Sequence, residues 1–202
     1  MILLLLMPYV LSLVPSHLSL IMRKLSMTEL ERKSVEEFKH SEKIPIIVVL
    51  ENVRSAYNVG SVFRTADAFL VQAIYICGYT AYPPHKEIKK TALGAEETVE
   101  WKYFKQIDEA IEQLRNDGFN VYAVEQAENS YKLQALSFQQ EKLAVVFGNE
   151  VTGVEQTTIE KTDGCIEIPQ LGMKHSLNIA PAAGVVLWEL VRNKINPSRE
   201  VQ

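Results

Sequence analysis

Cysteine, histidine and surplus positive charge are all scarce in this chain. The two cysteines, Cys77 and Cys165, sit in or at the end of apolar runs, as small buried thiols commonly do, so a disulfide framework is not expected. Four histidines, His17, His40, His85 and His175, are scattered without zinc-site spacing, and no structural metal is expected. No G-x-G-x-x-G follows the first apolar run beyond the N-terminus, which argues against a dinucleotide-binding dehydrogenase. No G-x-S-x-G elbow occurs either, and the side chains of the neighbours His175 and Ser176 would diverge, so a serine hydrolase is poorly supported. The net charge of −4 excludes nucleic-acid binding by bulk charge, so such a partner would need a local basic patch. The basic segment is His85-Lys86-Glu87-Ile88-Lys89-Lys90, expected as a loop, with Arg54 and Arg64 nearby; the alternative is an ordinary solvated loop. Internal repeats and low-complexity tracts are absent.

The N-terminus stands apart. Met1 to Val14 is apolar but broken by Pro8, has no basic n-region and is shorter than the ~20 residues of a spanning helix. Ordinary soluble sequence follows Met22 and Met27, so translation is expected to start at one of them, with secretion as the alternative. Residues 1–26 therefore read as an extension, 27–43 as a charged, solvated N-terminal helix, and 44–202 as one domain. A length of 202 residues with 47% hydrophobic content suits one well-filled core.

Within that domain, apolar runs alternate with helical periodicity. Ile44 to Leu50, Ala73 to Cys77, Phe119 to Val124, Leu143 to Phe147 and Cys165 to Ile168 read as buried strands bounded by turn residues. Between them Ser61 to Leu70 reads as a helix, as does Gln106 to Asn116, where Ile107, Ala110, Ile111 and Leu114 share a face and Gly118 supplies the C-terminal cap. The last helix, Asn178 to Asn193, carries Pro181 in its first turn and so little polar surface that it must be covered by the sheet or by a second subunit. The expected class is α/β, a mainly parallel sheet with helices on both faces and right-handed crossovers.

Three polar, glycine-containing segments follow strands in this scheme: Asn58-Val59-Gly60-Ser61-Val62-Phe63-Arg64-Thr65, Phe147-Gly148-Asn149-Glu150-Val151-Thr152-Gly153, and Ile168-Pro169-Gln170-Leu171-Gly172-Met173-Lys174-His175-Ser176-Leu177-Asn178. Open α/β sheets bind ligands at the carboxyl ends of strands, so these segments are expected to build one composite site. In order and spacing they resemble the motifs of the SpoU, or TrmH-like, branch of the SPOUT RNA methyltransferases, over roughly Ile44 to Val191.

That resemblance implies S-adenosyl-L-methionine-dependent methylation of a ribose 2′-hydroxyl in tRNA or rRNA, in a cytoplasmic homodimer with no membrane partner. It also implies a SPOUT-type fold with a C-terminal trefoil knot. The pocket for the cofactor is expected from Gly148, Ile168, Ser176 and Leu177, with Val124 at the end of an earlier strand. Arg64 matches the arginine assigned to the acceptor hydroxyl, either as a perturbed base or as a stabiliser of the developing alkoxide, because a guanidinium is protonated at neutral pH. Asn58, Glu150, Ser176 and Asn178 match the other polar motif positions. Asn58 has helix capping as its structural alternative, Glu150 is expected to pair with Arg64, and Gly172 is expected to serve turn geometry. RNA would be read by the dimer surface and the Tyr79 to Lys90 loop, with Tyr79 and Tyr82 stacking on bases. The rival function is a noncatalytic RNA-binding protein of the same fold, against which the joint presence of Arg64, Glu150, Ser176 and Asn178 weighs.

Overall fold

A computed structural model describes residues 22–26, 28–30, 32–135 and 142–192. Contacts divide the chain into two units, residues 1–33 and 34–202. In the first, Glu29 accepts from the Arg23 guanidinium at 2.5 and 3.1 Å and from the backbone N–H and hydroxyl of Ser26. The proposed extension lies mostly outside the described residues. The expected N-terminal helix is confined to α1, Val35–His40, because Ser34 and Glu37 form a reciprocal capping box that fixes its start.

The second unit is built on a sheet of seven strands: β1 Ile44–Glu51, β2 Val71–Cys77, β3 Glu100–Phe104, β4 Asn120–Val124, β5 Tyr131–Lys132, β6 Leu143–Phe147 and β7 Gly164–Glu167. They lie in the order β3-β2-β1-β6-β4-β7-β5, and every adjacent pair is parallel. All five expected strands are present. The two additional ones form the edges. β3 reads Glu-Trp-Lys-Tyr-Phe and is largely exposed, and β5 has only two residues, so neither shows the apolar run of a central strand.

Side-chain alternation in β1 sorts the core into two layers. Ile46, Val48 and Leu50 pack with α2 (Ala56–Ala68), α3 (Lys86–Ala92), α4 (Ala95–Thr98) and α7 (Ile179–Val191). Ile47 and Val49 pack instead with Ala110, Ile111 and Leu114 of α5 (Ile107–Asn116), near Ile159 of α6 (Gln156–Ile159). Helices therefore cover both faces, and each fully buried Ile or Leu contributes about 1.5–3 kcal/mol of transfer free energy. Cys77 and Cys165 are free and buried in the α5 layer, and burial pushes the Cys77 thiol up to about 12. None of the described helices is long and apolar enough to cross a membrane.

Two helices depart from expectation in ways that reach the site. Ser55 caps α2, its hydroxyl accepting from the Asn58 N–H at 3.3 Å, so the helix begins at Ala56 and the first motif lies inside it. The basic segment is α3 rather than a loop, capped by His85, whose Nδ1 accepts from the Glu87 N–H at 3.2 Å.

Gly60 is where α2 meets α3. A Cβ there would stand 2.1 Å from the Thr91 hydroxyl and 2.4 Å from the backbone oxygen of Ile88. Alanine ordinarily favours a helix interior over glycine by about 1 kcal/mol, but here the clash includes backbone and prevails. Gly60→Ala is expected to lose about 1–3 kcal/mol of stability by urea denaturation; a gain in stability would contradict the close packing of these helices.

Candidate functional site

Because the strands are parallel, β1, β4, β6 and β7 all present carboxyl ends at one edge, and the loops that follow meet there. They enclose a cavity of about 510 Å³ lined by residues of the 124–126, 147–153, 166–170 and 175–182 segments. Val124, Gly148, Ile168, Ser176 and Leu177 all line it, as do Glu150 and Asn178. Asn58 and Arg64 are not among its lining residues.

The second motif forms a tight loop after β6. Asn149 and Gly153 exchange backbone hydrogen bonds, each 2.9 Å, while the Asn149 side-chain oxygen accepts from the N–H groups of Val151 at 2.7 Å and Thr152 at 3.2 Å. Its amide nitrogen donates to the Asn52 carbonyl at 2.9 Å and to the Tyr79 hydroxyl at 2.6 Å. This largely buried side chain thus orders the loop from inside and anchors it to the chain beyond β1 and β2. Gly148 is required by contact: a Cβ would lie 2.2 Å from the backbone carbon and oxygen of Gly153. Gly153 has φ +72°, and a side chain there would strike the Glu125 carboxylate.

Glu150 departs from expectation. It does not pair with Arg64. Its carboxylate accepts from the backbone N–H groups of Arg54 at 2.8 Å and Ser55 at 3.0 Å and from the Asn58 side-chain amide at 2.9 Å. An anion at the start of α2 meets unpaired amide donors and the positive end of the helix dipole. Asn58 is therefore not the cap but the link between Glu150 and the third motif: its side-chain oxygen accepts from Asn178 Nδ2 at 3.3 Å. Asn178 in turn caps α7, accepting from the Ala180 N–H at 2.9 Å. Arg64 projects into solvent two turns along α2 from Asn58, and among the described residues it has no ion-pair partner.

Three glutamates line the cavity and no lysine or arginine does. Each carboxylate has donors in place. Glu167 is held by Lys132 and Ser130, and these bonds keep it below the usual carboxylate range. Glu125 accepts from the backbone N–H groups of Val154 at 3.1 Å and Gln126 at 2.9 Å. Gln126 reaches across to the His175 carbonyl at 2.7 Å, bracing the third-motif segment. Glu125, Gln126 and Asn149 were not among the expected site residues, although the first two follow directly on the strand that ends at Val124 and share its position at the carboxyl edge. Gly172 lies outside the cavity lining.

The sequence model of the SpoU rRNA Methylase family matches residues 45–188. This chain belongs to that family. Its relatives include a tRNA (guanosine(18)-2′-O)-methyltransferase of Thermus thermophilus, 32% identical over 168 residues covering 83% of this chain and 85% of the relative. A 23S rRNA (guanosine-2′-O-)-methyltransferase, RlmB, of Vibrio parahaemolyticus is 29% identical over 89% of this chain and 72% of that protein. Among solved structures, the TrmH/SpoU tRNA modifying enzyme of A. aeolicus superposes with a TM-score of 0.70 at 26% identity, over 79% of this chain and 80% of that one. An AdoMet-bound rRNA methyltransferase from Sinorhizobium meliloti gives 0.72 at 27% identity, over 78% of this chain and 59% of that one. The SpoU match spans all three motifs, including the loop held by Asn149 and the Glu150 contact to α2.

Burial pushes the Glu150 carboxyl up, but the amides of Arg54, Asn58 and Ser55 outweigh it, leaving the group below its ordinary value of 4.5. A depressed folded-state pKa means that the stabilisation is complete above the unfolded value and is lost as pH falls through the folded one. Glu150→Gln is expected to be less stable than wild type near neutral pH, with the difference shrinking as pH drops below about 4.5. Urea denaturation across that range measures it, and a difference independent of pH would contradict the assignment.

Proposed function

We propose that this chain transfers the methyl group of S-adenosylmethionine to a ribose 2′-hydroxyl of tRNA or rRNA. The observation that carries the reading is one cavity at the carboxyl edge of a parallel sheet, lined by all five residues expected to hold the cofactor, in a SpoU family chain. The residues suit the cofactor. Gly148 lets the 148–153 loop close on Gly153 at the cavity wall, Val124, Ile168 and Leu177 offer apolar walls for an adenine, and the acidic lining suits a ligand bearing a sulfonium and an ammonium. Bound there, S-adenosylmethionine supplies an electrophilic methyl group for in-line displacement.

The chain's own contribution is position and charge. Glu150, Asn58 and Asn178 fix the start of α2 against the cavity rim, and α2 carries Arg64. An exposed guanidinium without an acid partner among the described residues is available to a substrate phosphate or to the alkoxide developing at the 2′-oxygen. Ser176 and Asn178, which line the cavity, can orient the ribose. Homodimerisation and a cytoplasmic setting belong to the same reading. Val185 and Trp188 are exposed apolar residues on α7, and Leu171 and Met173 are exposed in the third motif, which supports a second copy as their cover. The C-terminal trefoil knot is proposed on family membership.

Labelled methyl transfer to total RNA from a strain lacking the gene, with nuclease mapping of the product, tests the reaction. Label in a 2′-O-methylated nucleotide is expected; cofactor binding without transfer would favour the noncatalytic RNA-binding alternative. Arg64→Ala is expected to lose turnover by about a hundredfold or more while cofactor affinity by calorimetry is unchanged. Gly148→Ala is expected to lose cofactor binding itself. Full activity in either variant would remove that residue's assigned role.

A further inference from the structure

The structure divides the aromatic and basic residues that the sequence groups in one loop. The Tyr79 hydroxyl accepts from Asn149 at 2.6 Å, and the Tyr82 ring packs on Tyr103 at 4.6 Å and Trp101 at 6.0 Å between centroids, so both rings have structural commitments. Tyr79 and Tyr82 stay partly exposed, at 64% and 46%, but a third tyrosine is the one with a lysine set over its ring. Tyr57, in the first turn of α2, is 42% exposed, and its ring meets Lys90, whose Nζ lies 5.7 Å from the centroid. Its backbone is held firmly, the carbonyl accepting from Ser61 Oγ at 2.9 Å and Thr91 Oγ1 at 3.0 Å. The close approach of α3 at Gly60 is what brings Lys90 beside this ring.

Tyr57, Ser61 and Arg64 fall at i, i+4 and i+7, on one face of α2 about 10 Å long. On α3, Lys86 and Lys90 fall at i and i+4. Lys89 turns toward Glu97 at 3.9 Å, whereas Arg64, Lys86 and Lys90 have no carboxylate partner among the described residues. The acid of this helix, Glu87, is about 100° around it from Lys86 and, at i to i+3, about 60° from Lys90, with which it forms no ion pair. In a chain of net charge −4 this is a local concentration of unpaired cations around an exposed ring. It begins at the cavity, because the residue after Tyr57 is Asn58, which bonds Glu150 and Asn178 of the cavity lining.

We propose that this face of α2 and α3 holds single-stranded RNA beside the modified nucleotide, with an unpaired base stacked on the Tyr57 ring and Arg64, Lys86 and Lys90 neutralising the adjoining phosphates. The inference rests on the RNA methyltransferase reading and specifies how its substrate is gripped. Stacking on an aromatic ring accepts any base, and phosphate contacts carry no sequence information, so the face supplies affinity and register while specificity is set elsewhere.

Fluorescence anisotropy of the full-length protein with a short, unstructured oligoribonucleotide over a range of salt concentrations tests it. Tyr57→Ala is expected to weaken binding about 5- to 100-fold, with Tyr57→Phe close to wild type, since the stacking ring is retained. The Lys86→Ala/Lys90→Ala pair is expected to reduce the slope of log K against log salt by about 1.4, two phosphate contacts at ~0.7 each. S-adenosylmethionine affinity, measured separately by calorimetry, should be unchanged in all three and reports that the fold is intact. Equal RNA affinity in Tyr57→Ala and wild type would overturn the proposal, as would a loss shared by Tyr57→Phe. A fall in molecular mass by light scattering on Tyr57→Ala would also overturn it, by showing the face to be an interface between copies. Methyl transfer by wild type with an unchanged KM in Tyr57→Ala would reject this face alone; no transfer and no RNA binding by wild type would reject the underlying function.

Discussion

The contact on which the site depends is the carboxylate of Glu150 against the start of α2. Helix starts leave backbone N–H groups without partners, and here those of Arg54 and Ser55 point at an acid that arrives from a different strand connection. Without that acid the donors would turn to water, and α2 would be joined to the 148–153 loop by weaker ties. With it, a helix on one side of β1 and a loop after β6 become one object. Asn58 extends the link to Asn178 and so to the cap of α7. The three motifs are thus connected by hydrogen bonds, and the arginine on α2 is placed relative to the cavity by the same contact that shapes the cavity's rim.

Charge is distributed with similar economy. The cavity wall is acidic, but each glutamate is satisfied locally, Glu125 and Glu150 largely by backbone amides and Glu167 by Lys132 and Ser130. Their oxygens are occupied by these donors and none of the three pairs with Arg64, which leaves that arginine free for a substrate. The cations gather instead on the outer face of α2 and α3, next to the cavity but outside it. An acidic interior facing a cationic cofactor and a basic exterior facing a polyanion explain how a protein of net charge −4 can serve RNA chemistry.

Much of this was legible in the sequence because burial on both faces of a parallel strand demands unbroken apolar runs. All five such runs became strands, and α5 emerged from its Ile107, Ala110, Ile111 and Leu114 face. That Val124, Gly148 and Ile168 would line one cavity was legible because each lies at or just after a strand end. What escaped was set by contacts between distant segments. The edge strand Glu100–Phe104 carries charges because one side faces water. The partner of Glu150 was misjudged because charge complementarity suggested an arginine, whereas the nearest donors were main-chain amides that no sequence pattern advertises. Asn149 was overlooked for a related reason: its role is internal to the loop, and only the fold shows its side chain bonded in four directions.

The central claim is that Glu150 fastens α2 to the cavity loop, and amide hydrogen exchange at Arg54 and Ser55 measures that fastening directly. The two amides are expected to be protected in wild type and to lose protection in Glu150→Ala, which removes both acceptor oxygens, while the core amides of β1 keep theirs. Unaltered protection at Arg54 and Ser55 in the variant would show that the start of α2 is held by something else.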